Sequence, residues 1–67
     1  MTFGVVKHWQ VSKGFGFVTT DDDRDVFLHV SELSGNLTAD KIKPGMRLRF
    51  DVKSDMKGDK AVNVRSA

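Results

Sequence analysis

The fold of this 67-residue chain is decided by Lys13-Gly14-Phe15-Gly16-Phe17-Val18. Successive side chains of an extended strand leave on opposite faces, so Phe15 and Phe17 share one face and Gly16 and Val18 share the other. Glycine weakens the interior of a strand because it has no side chain to pack. We therefore expect a strand here, with both phenylalanines on one side and a constraint on the backbone at Gly16.

A second alternating stretch, Val26-Phe27-Leu28-His29-Val30, places Phe27 and His29 on one face and three aliphatic residues on the other. If the two strands pair as an antiparallel hairpin, their aliphatic faces close a core. Three phenylalanines and a histidine then lie side by side on the outer surface. Exposed aromatic clusters of this kind mark interaction sites, and flat rings near lysines suit the stacking of unpaired nucleobases.

Three further strands are predicted from the remaining alternation. Residues 5–9 form the first, although two adjacent valines leave open whether His8 or Trp9 faces outward. Residues 46–53 form the clearest, since every second residue is apolar and every residue between is charged. Residues 60–65 alternate again as the last strand.

The connections complete the architecture. Residues 21–24 form an acidic loop, and Ser31 is expected to cap a single helical turn that folds Leu33 onto the core. Residues 34–44 form a long connection anchored by Ile42. We predict an all-β fold, with five short strands forming a closed or partly closed antiparallel barrel, because closure removes exposed strand edges. The strand pattern leaves a barrel of the SH3 type open as an alternative.

Composition limits the possible function classes. The chain reads as one domain over residues 1–67, with a net charge of +2 and no cysteine, so it has neither a disulfide framework nor a thiolate metal site. No apolar run approaches the roughly 20 residues that cross a bilayer. The first residues lack the pattern of a signal peptide, and we expect a cytoplasmic protein.

The residue types present argue against two other kinds of chemistry, metal binding and acid–base catalysis. His8 and His29 are the only histidines, and the acidic loop lacks the spacing of a calcium site, so we expect no metal or other cofactor. Acid–base cleavage of RNA by two histidines and a lysine needs a pocket to position them. No segment of the chain is suited to form one, so we expect no enzymatic activity.

The two aromatic stretches resemble the first and second ribonucleoprotein motifs of bacterial cold-shock proteins. The resemblance extends over nearly the whole chain, including the opening glycine-valine pattern and the closing Ala61-Val62-Asn63-Val64. It implies a five-stranded Greek-key barrel, the OB-fold, that binds single-stranded RNA and DNA. It also implies an RNA chaperone that needs no ATP and regulates transcription or translation in the cold.

The resemblance assigns roles to individual residues. The base-stacking positions fall on Phe15, Phe17, Phe27 and His29, the backbone-facing lysines on Lys7 and Lys13, and the base-edge positions on Gln10 and Asp25. The other candidate contacts are His8, Trp9, Val30 and Lys57. We expect a monomer whose partners are single-stranded RNA and DNA, with no membrane partner.

The chain departs from the family pattern at three places. His8 and Trp9 stand where tryptophan and phenylalanine are usual, Val30 stands where the second motif usually ends in phenylalanine, and no aromatic residue occurs in the long connection. Fewer stacking rings predict weaker binding. The alternative hypothesis is a protein-interaction barrel whose aromatic patch contacts a peptide or a second copy of the chain.

Overall fold

The computed structural model describes residues 1–67 and shows five strands, joined by short connections except for the long segment 30–46 between the third and fourth strands. The strands are β1 (Thr2–Gln10), β2 (Phe15–Thr20), β3 (Asp25–His29), β4 (Arg47–Asp55) and β5 (Gly58–Ser66). Two single turns of 3₁₀ helix, Val30–Glu32 and Ala39–Lys41, lie in the connection between β3 and β4. Neither turn has the length or hydropathy to cross a bilayer.

The strands close into a barrel in the order β1-β2-β3-β5-β4. The first three strands form an antiparallel meander that contains the predicted hairpin of β2 and β3, and β4 pairs antiparallel with both β1 and β5. The closing contact, between β3 and β5 at Phe27 and Lys60, is parallel. The predicted all-β, five-stranded barrel is confirmed and is consistent with an OB-fold.

The barrel interior is filled by the aliphatic faces that the alternation predicts, with one exception: Val30, predicted on the same face as Val26 and Leu28, is exposed because β3 ends at His29 and Val30 begins a 3₁₀ turn. Val18, Val26 and Leu28 are completely buried, as is Leu48 of β4. The buried hydrophobic core consists of ten residues: Val6, Trp9, Val18, Val26, Leu28, Ile42, Leu48, Phe50, Ala61 and Val64. Burial of these side chains is the main force that holds the strands together.

The strands are longer than the hydrophobic pattern predicts. β1 begins at Thr2, three residues early, and the β4–β5 loop is reduced to two residues because β4 continues to Asp55 and β5 begins at Gly58. In the β4–β5 hairpin the added rungs pair Ser54 with Asp59 and Asp55 with Gly58, and Ser54 Oγ donates a 3.0 Å hydrogen bond to Asp59 Oδ1. Polar hairpin ends outside the core carry no apolar alternation, so the sequence pattern does not predict them as strand.

A β-bulge at Lys7 explains the ambiguous pattern of β1. Val6 pairs with Val18 and His8 pairs with Phe17, so Lys7 is an extra residue in the ladder. The two consecutive residues Lys7 and His8 both face solvent, while Val6 and Trp9 are both buried. A bulge resets the alternation by one residue, and this settles which of the two aromatic candidates faces outward.

A second bulge changes the expected alternation of β5. The register between β4 and β5 shifts between Arg49 and Asp51, and Asn63 has a positive φ of 53°. Asparagine tolerates this left-handed conformation better than most residues do. Ala61 and Val64 are therefore the buried residues, three positions apart, where a regular strand would bury residues two apart.

The constraint expected at Gly16 is a close approach of two backbones. A Cβ atom built on Gly16 would lie 2.0 Å from the carbonyl oxygen of His8 and 2.8 Å from Cα of Trp9. Only glycine fits beneath β1 at this point. The residue that weakens the strand is the one that lets the bulged β1 pack against it.

The sequence predicts Ser31 as the cap of the helical turn after β3, but the structure has His29 in that position. The side chain of His29 accepts a hydrogen bond from the backbone N–H of Ser31. Leu33 packs against the core and Ile42 is buried, as predicted. The backbone of this connection is tied to β5 by a hydrogen bond from Ser34 N to Val64 O of 2.8 Å.

Candidate nucleic-acid interface

Four rings form a continuous row on the outer face of β2 and β3, which we call the aromatic surface: Phe15, Phe17, Phe27 and His29. The register sets Phe17 opposite Phe27 and Phe15 opposite His29. Phe27 is central, with its centroid 6.0 Å from that of Phe15, 5.9 Å from that of Phe17 and 6.3 Å from that of His29. The structure thus brings together all four predicted stacking residues.

The rings differ in how much surface they offer. Phe17 is 41% exposed, and His29 is exposed as well, whereas Phe15 and Phe27 are half-buried. The Phe17 ring lies edge to face with Phe27 at 75°, while Phe15 and Phe27 are 29° from parallel. Such pairs stabilise each other by about 0.5–1.5 kcal/mol beyond the area they bury. The rings therefore form a preorganised platform.

The imidazole of His29 is oriented by the turn that follows it. Its Nδ1 accepts a hydrogen bond from Ser31 N at 3.1 Å and lies 2.8 Å from Ser31 Oγ. Because Nδ1 accepts a backbone N–H, the proton of the neutral ring belongs on Nε2. His29 therefore presents a ring face and a free N–H donor to a ligand.

Lys7 and Asp25 form an ion pair beside the aromatic surface. Lys7 Nζ donates to Asp25 Oδ2 at 3.0 Å, and Thr19 Oγ1 donates to Asp25 Oδ1 at the same distance. The hydrogen bond from Lys7, followed by that from Thr19, lowers the pKa of Asp25 below its ordinary value of 3.8. Both charged side chains are well exposed, so the ion pair contributes little to stability. A ligand can therefore break it at little cost.

His8 and Gln10 are neighbours at the end of β1. Gln10 Nε2 and His8 Nε2 are 3.2 Å apart, within hydrogen-bond distance. His8 also lines a hollow of about 270 Å³ together with Lys7, Phe17 and Asp25. The outward residue of the bulged strand is thus His8, next to the most exposed phenylalanine.

Trp9 lies in the core and is only 9% exposed. Its indole Nε1 donates a 2.9 Å hydrogen bond to Ala39 O in the second 3₁₀ turn. The suggestion that its ring borders the ligand face is therefore wrong for this structure, and the reason is the bulge at Lys7, which directs the next inward position to Trp9. The indole supports β1 from behind.

The remaining candidates lie at opposite ends of the aromatic surface. Lys13 is exposed in the turn between β1 and β2, and Val30 is exposed where its backbone N–H donates to Gly14 O at 2.8 Å. Lys57 lies in the β4–β5 turn and lines a groove of about 430 Å³ that reaches Phe17 and Phe27. Sequence reasoning missed Lys60, which lines the same groove. Its pairing with Phe27 is a parallel contact between distant segments, for which the sequence carries no local signal.

The comparison with known proteins agrees with this geometry. A sequence profile of the 'Cold-shock' DNA-binding domain matches residues 2–67. The chain belongs to the cold-shock domain family. It is 38% identical over 64 residues to the major cold shock protein of Streptococcus pyogenes serotype M1, covering 96% of this chain and 94% of that protein.

Two further relatives carry the name cold shock-like protein CspC. The protein from Buchnera aphidicola is 42% identical over 64 residues, which cover 94% of this chain and 91% of the relative. The protein from Shigella flexneri is 42% identical over 62 residues, which cover 91% and 88%. A cold-shock domain binds nucleic acid and is not an enzyme, which decides against the acid–base chemistry considered from the two histidines.

Within the cold-shock domain of this chain, no group of three histidine or acidic side chains is placed to hold a metal ion. The polar groups around the aromatic surface are paired with one another. Lys7 is bound to Asp25, His8 to Gln10 and His29 to Ser31. The surface therefore presents ring faces to a ligand, bordered by exposed polar groups whose present hydrogen bonds a ligand could replace.

Proposed function

We propose that this cold-shock domain binds single-stranded RNA and DNA by stacking unpaired bases on the aromatic surface. The observation that supports the proposal most strongly is the unbroken row of four rings centred on Phe27, with neighbouring centroids 5.9–6.3 Å apart. Stacking on an aromatic side chain contributes about 1–3 kcal/mol per base and tolerates any base. Sequence preference is therefore mild.

The polar residues divide into two roles in this proposal. Lys7, Lys13 and Lys57 approach phosphates, because their ammonium groups are exposed around the rim of the surface. Gln10 and Asp25 meet base edges, since each has hydrogen-bonding atoms beside an exposed ring. When a strand binds, a phosphate replaces the carboxylate of Asp25 at Lys7. Trp9 makes no ligand contact and holds β1 in place.

The same chemistry supports an RNA chaperone that needs no ATP. A base-pair step in a duplex contributes about 1.4 kcal/mol on average, which is comparable to one base stacked on a ring. A few stacked bases therefore trap transiently opened strands of weak structure, but leave long helices intact. Secondary structure in RNA is more persistent in the cold, and we propose that the domain, acting as a monomer in the cytoplasm, regulates transcription or translation under those conditions.

Titration with a uridine heptamer and a thymidine heptamer tests the binding proposal. We expect the ring resonances of Phe15, Phe17 and Phe27 to shift in NMR spectra and to saturate together. If about four phosphates are neutralised, the log–log dependence of affinity on salt has a slope near −3. Unshifted ring resonances would reject nucleic acid as the ligand of this surface and leave the protein-interaction alternative.

The chaperone proposal has a separate test. A weak RNA hairpin labelled at both ends should open when the protein is added without nucleotide. The Phe17→Ala and Phe27→Ala variants should open it less in proportion to their lost affinity. Binding of the heptamers without opening of the hairpin would leave the binding proposal intact and overturn the chaperone proposal.

A further inference from the structure

A second basic face lies on β4, β5 and the first half of β1, away from the aromatic surface. Arg49 of β4 stands directly opposite Arg65 of β5, and Arg49 also pairs with Phe3 of β1 on its other side. The flanking residues Leu48 and Val64 are buried, so both arginines lie on the outer face, Arg65 exposed and Arg49 half-buried. The three residues form one row across three strands.

The two arginines lack the ion-pair partners that neutralise the other arginines. Arg24 contacts Asp22 and Asp59, and Arg47 contacts Asp21 at 2.9 Å, but neither Arg49 nor Arg65 has a carboxylate within ion-pair distance. Arg49 Nε is buried with no hydrogen-bond acceptor, and it is the only buried side-chain nitrogen or oxygen in the chain of which this is true. Like charges directly opposite each other destabilise a sheet. The pair therefore lowers stability, and an anion placed between the two guanidinium groups would relieve that effect.

An exposed ring accompanies the arginines. Phe3 is 39% exposed, and the guanidinium carbon of Arg47 lies 5.3 Å from its ring centroid. A hollow of about 270 Å³ lies beside the row, lined by Arg49 and Arg65 together with Asp51 and others. Guanidinium groups bind phosphate through paired N–H donors, and a ring beside them accepts a base.

We propose that Phe3, Arg49 and Arg65 form a second face that binds the phosphodiester backbone of a single strand. Arg65 and Arg49 hold phosphates, and Phe3 stacks an adjacent base. Asp51, which also lines the hollow, carries a negative charge that opposes the phosphate and keeps this face weaker than the aromatic surface. A domain with two such faces holds two single-stranded segments at once.

The test is a thymidine-heptamer titration of the whole protein at low salt, followed by NMR. After the ring resonances of the aromatic surface have saturated, we expect a second, weaker phase that shifts the side-chain Nε–Hε signals of Arg49 and Arg65. Phe17→Ala should weaken the first phase and spare the second. If the first phase is observed but the arginine signals show no second phase, the second face is rejected and the proposed function is not.

Arg65→Gln gives the sharpest variant, because Arg65 is exposed and its removal spares the core. We expect the second phase to weaken by about tenfold and its salt slope to fall by about 0.7, with the first phase unchanged. The melting temperature should rise, because the like-charge pair is gone. Loss of both stability and binding would indicate a purely structural arginine and overturn the proposal.

Three controls complete the design. Asp51→Asn should strengthen the second phase, since it removes the opposing charge, and Arg49→Gln should weaken it as Arg65→Gln does. Inorganic phosphate at the same concentration of phosphate groups should shift the arginine signals far less than the heptamer. Equal shifts would mean that the face takes free phosphate and would overturn its assignment to a strand.

Discussion

The rings of Phe17 and Phe27 lie edge to face across the β2–β3 ladder, with centroids 5.9 Å apart and planes at 75°. Phe27 also contacts Phe15 and His29, whereas Phe17 has Phe27 as its only ring neighbour. The most exposed phenylalanine is therefore held in place by a less exposed one. This arrangement makes separate predictions for the two side chains.

Phe27→Ala should cost more affinity than Phe17→Ala, because it removes one stacking ring and loosens three others. Each substitution should weaken heptamer binding by about 1–3 kcal/mol. A double-mutant cycle should give a coupling of at least about 0.5 kcal/mol, since the side chains are in contact. Oligonucleotide titration measures all four affinities, and additive losses would show that the rings act independently.

Trp9→Phe should lower stability without changing affinity. The substitution keeps an apolar ring in the core but removes the hydrogen bond to Ala39 O. We expect the free energy of unfolding to fall by about 1 kcal/mol, as measured by urea denaturation. Heptamer affinity should stay within about twofold, and an affinity loss at unchanged stability would place the indole at the ligand.

Lys7→Gln should raise the pKa of Asp25 toward its ordinary value. The hydrogen bond from Lys7 is the largest cause of the lowered pKa, and the bond from Thr19 retains part of the shift. Since the pKa of the folded state is depressed, Asp25 contributes stability above pH 3.8 that is lost as the pH falls through the folded pKa. The variant should lose the part of that stability that Lys7 supplies and keep the part that Thr19 supplies.

Carboxyl ¹³C titration by NMR measures the change at Asp25 directly. Lys13→Gln is the matched control, since Lys13 takes part in no ion pair. It should leave the titration of Asp25 where it is. A pKa of Asp25 that stays low in Lys7→Gln would assign the shift to Thr19 alone.

Gly16→Ala should prevent folding or destabilise the barrel by more than about 3 kcal/mol, because the added methyl group would lie 2.0 Å from His8 O. Gly35→Ala is the control, since no atom lies within 4 Å of its added methyl group and only its φ of 66° opposes the change. The free energy of unfolding of this control should fall by about 1–2 kcal/mol. Thermal unfolding compares the two, and equal losses would show that β1 moves away from Gly16 at little cost.

Val30→Phe should strengthen heptamer binding by up to about 1–3 kcal/mol, because it adds a ring next to His29 at an exposed position. Val5→Phe is a matched control, since both valines are 37% exposed and Val5 lies outside the aromatic surface. It should leave the affinity for the first heptamer unchanged. Equal gains from the two variants would indicate nonspecific apolar contact.

The sequence was sufficient to predict the barrel and its aromatic surface. Period-two alternation places Phe15, Phe17 and Phe27 on one side because the side chains of a regular strand alternate without exception. The buried partners Val18 and Leu28 follow from the same rule. The face on which each of these side chains lies follows from local geometry alone, whereas the choice of an OB-fold over a barrel of the SH3 type depends on the family resemblance.

The features that sequence reasoning missed depend on contacts between distant segments. The bulge at Lys7 lies just beyond Val5, the last residue of β1 that pairs with β4, and it accounts for the burial of Trp9. The pairings of Phe27 with Lys60 and of Arg49 with Arg65 arise from the closing of the barrel. A pattern read along one strand carries no information on which residue of another strand stands opposite.

The extra residue in β1 also makes the length of that strand a requirement. If one residue were deleted between Val6 and Trp9, every side chain on one flank of the deletion would rotate by half a turn. The indole would then point into water, or an outward polar group would enter the core. Changes of residue type are tolerable along this segment in a way that a change of residue number is not.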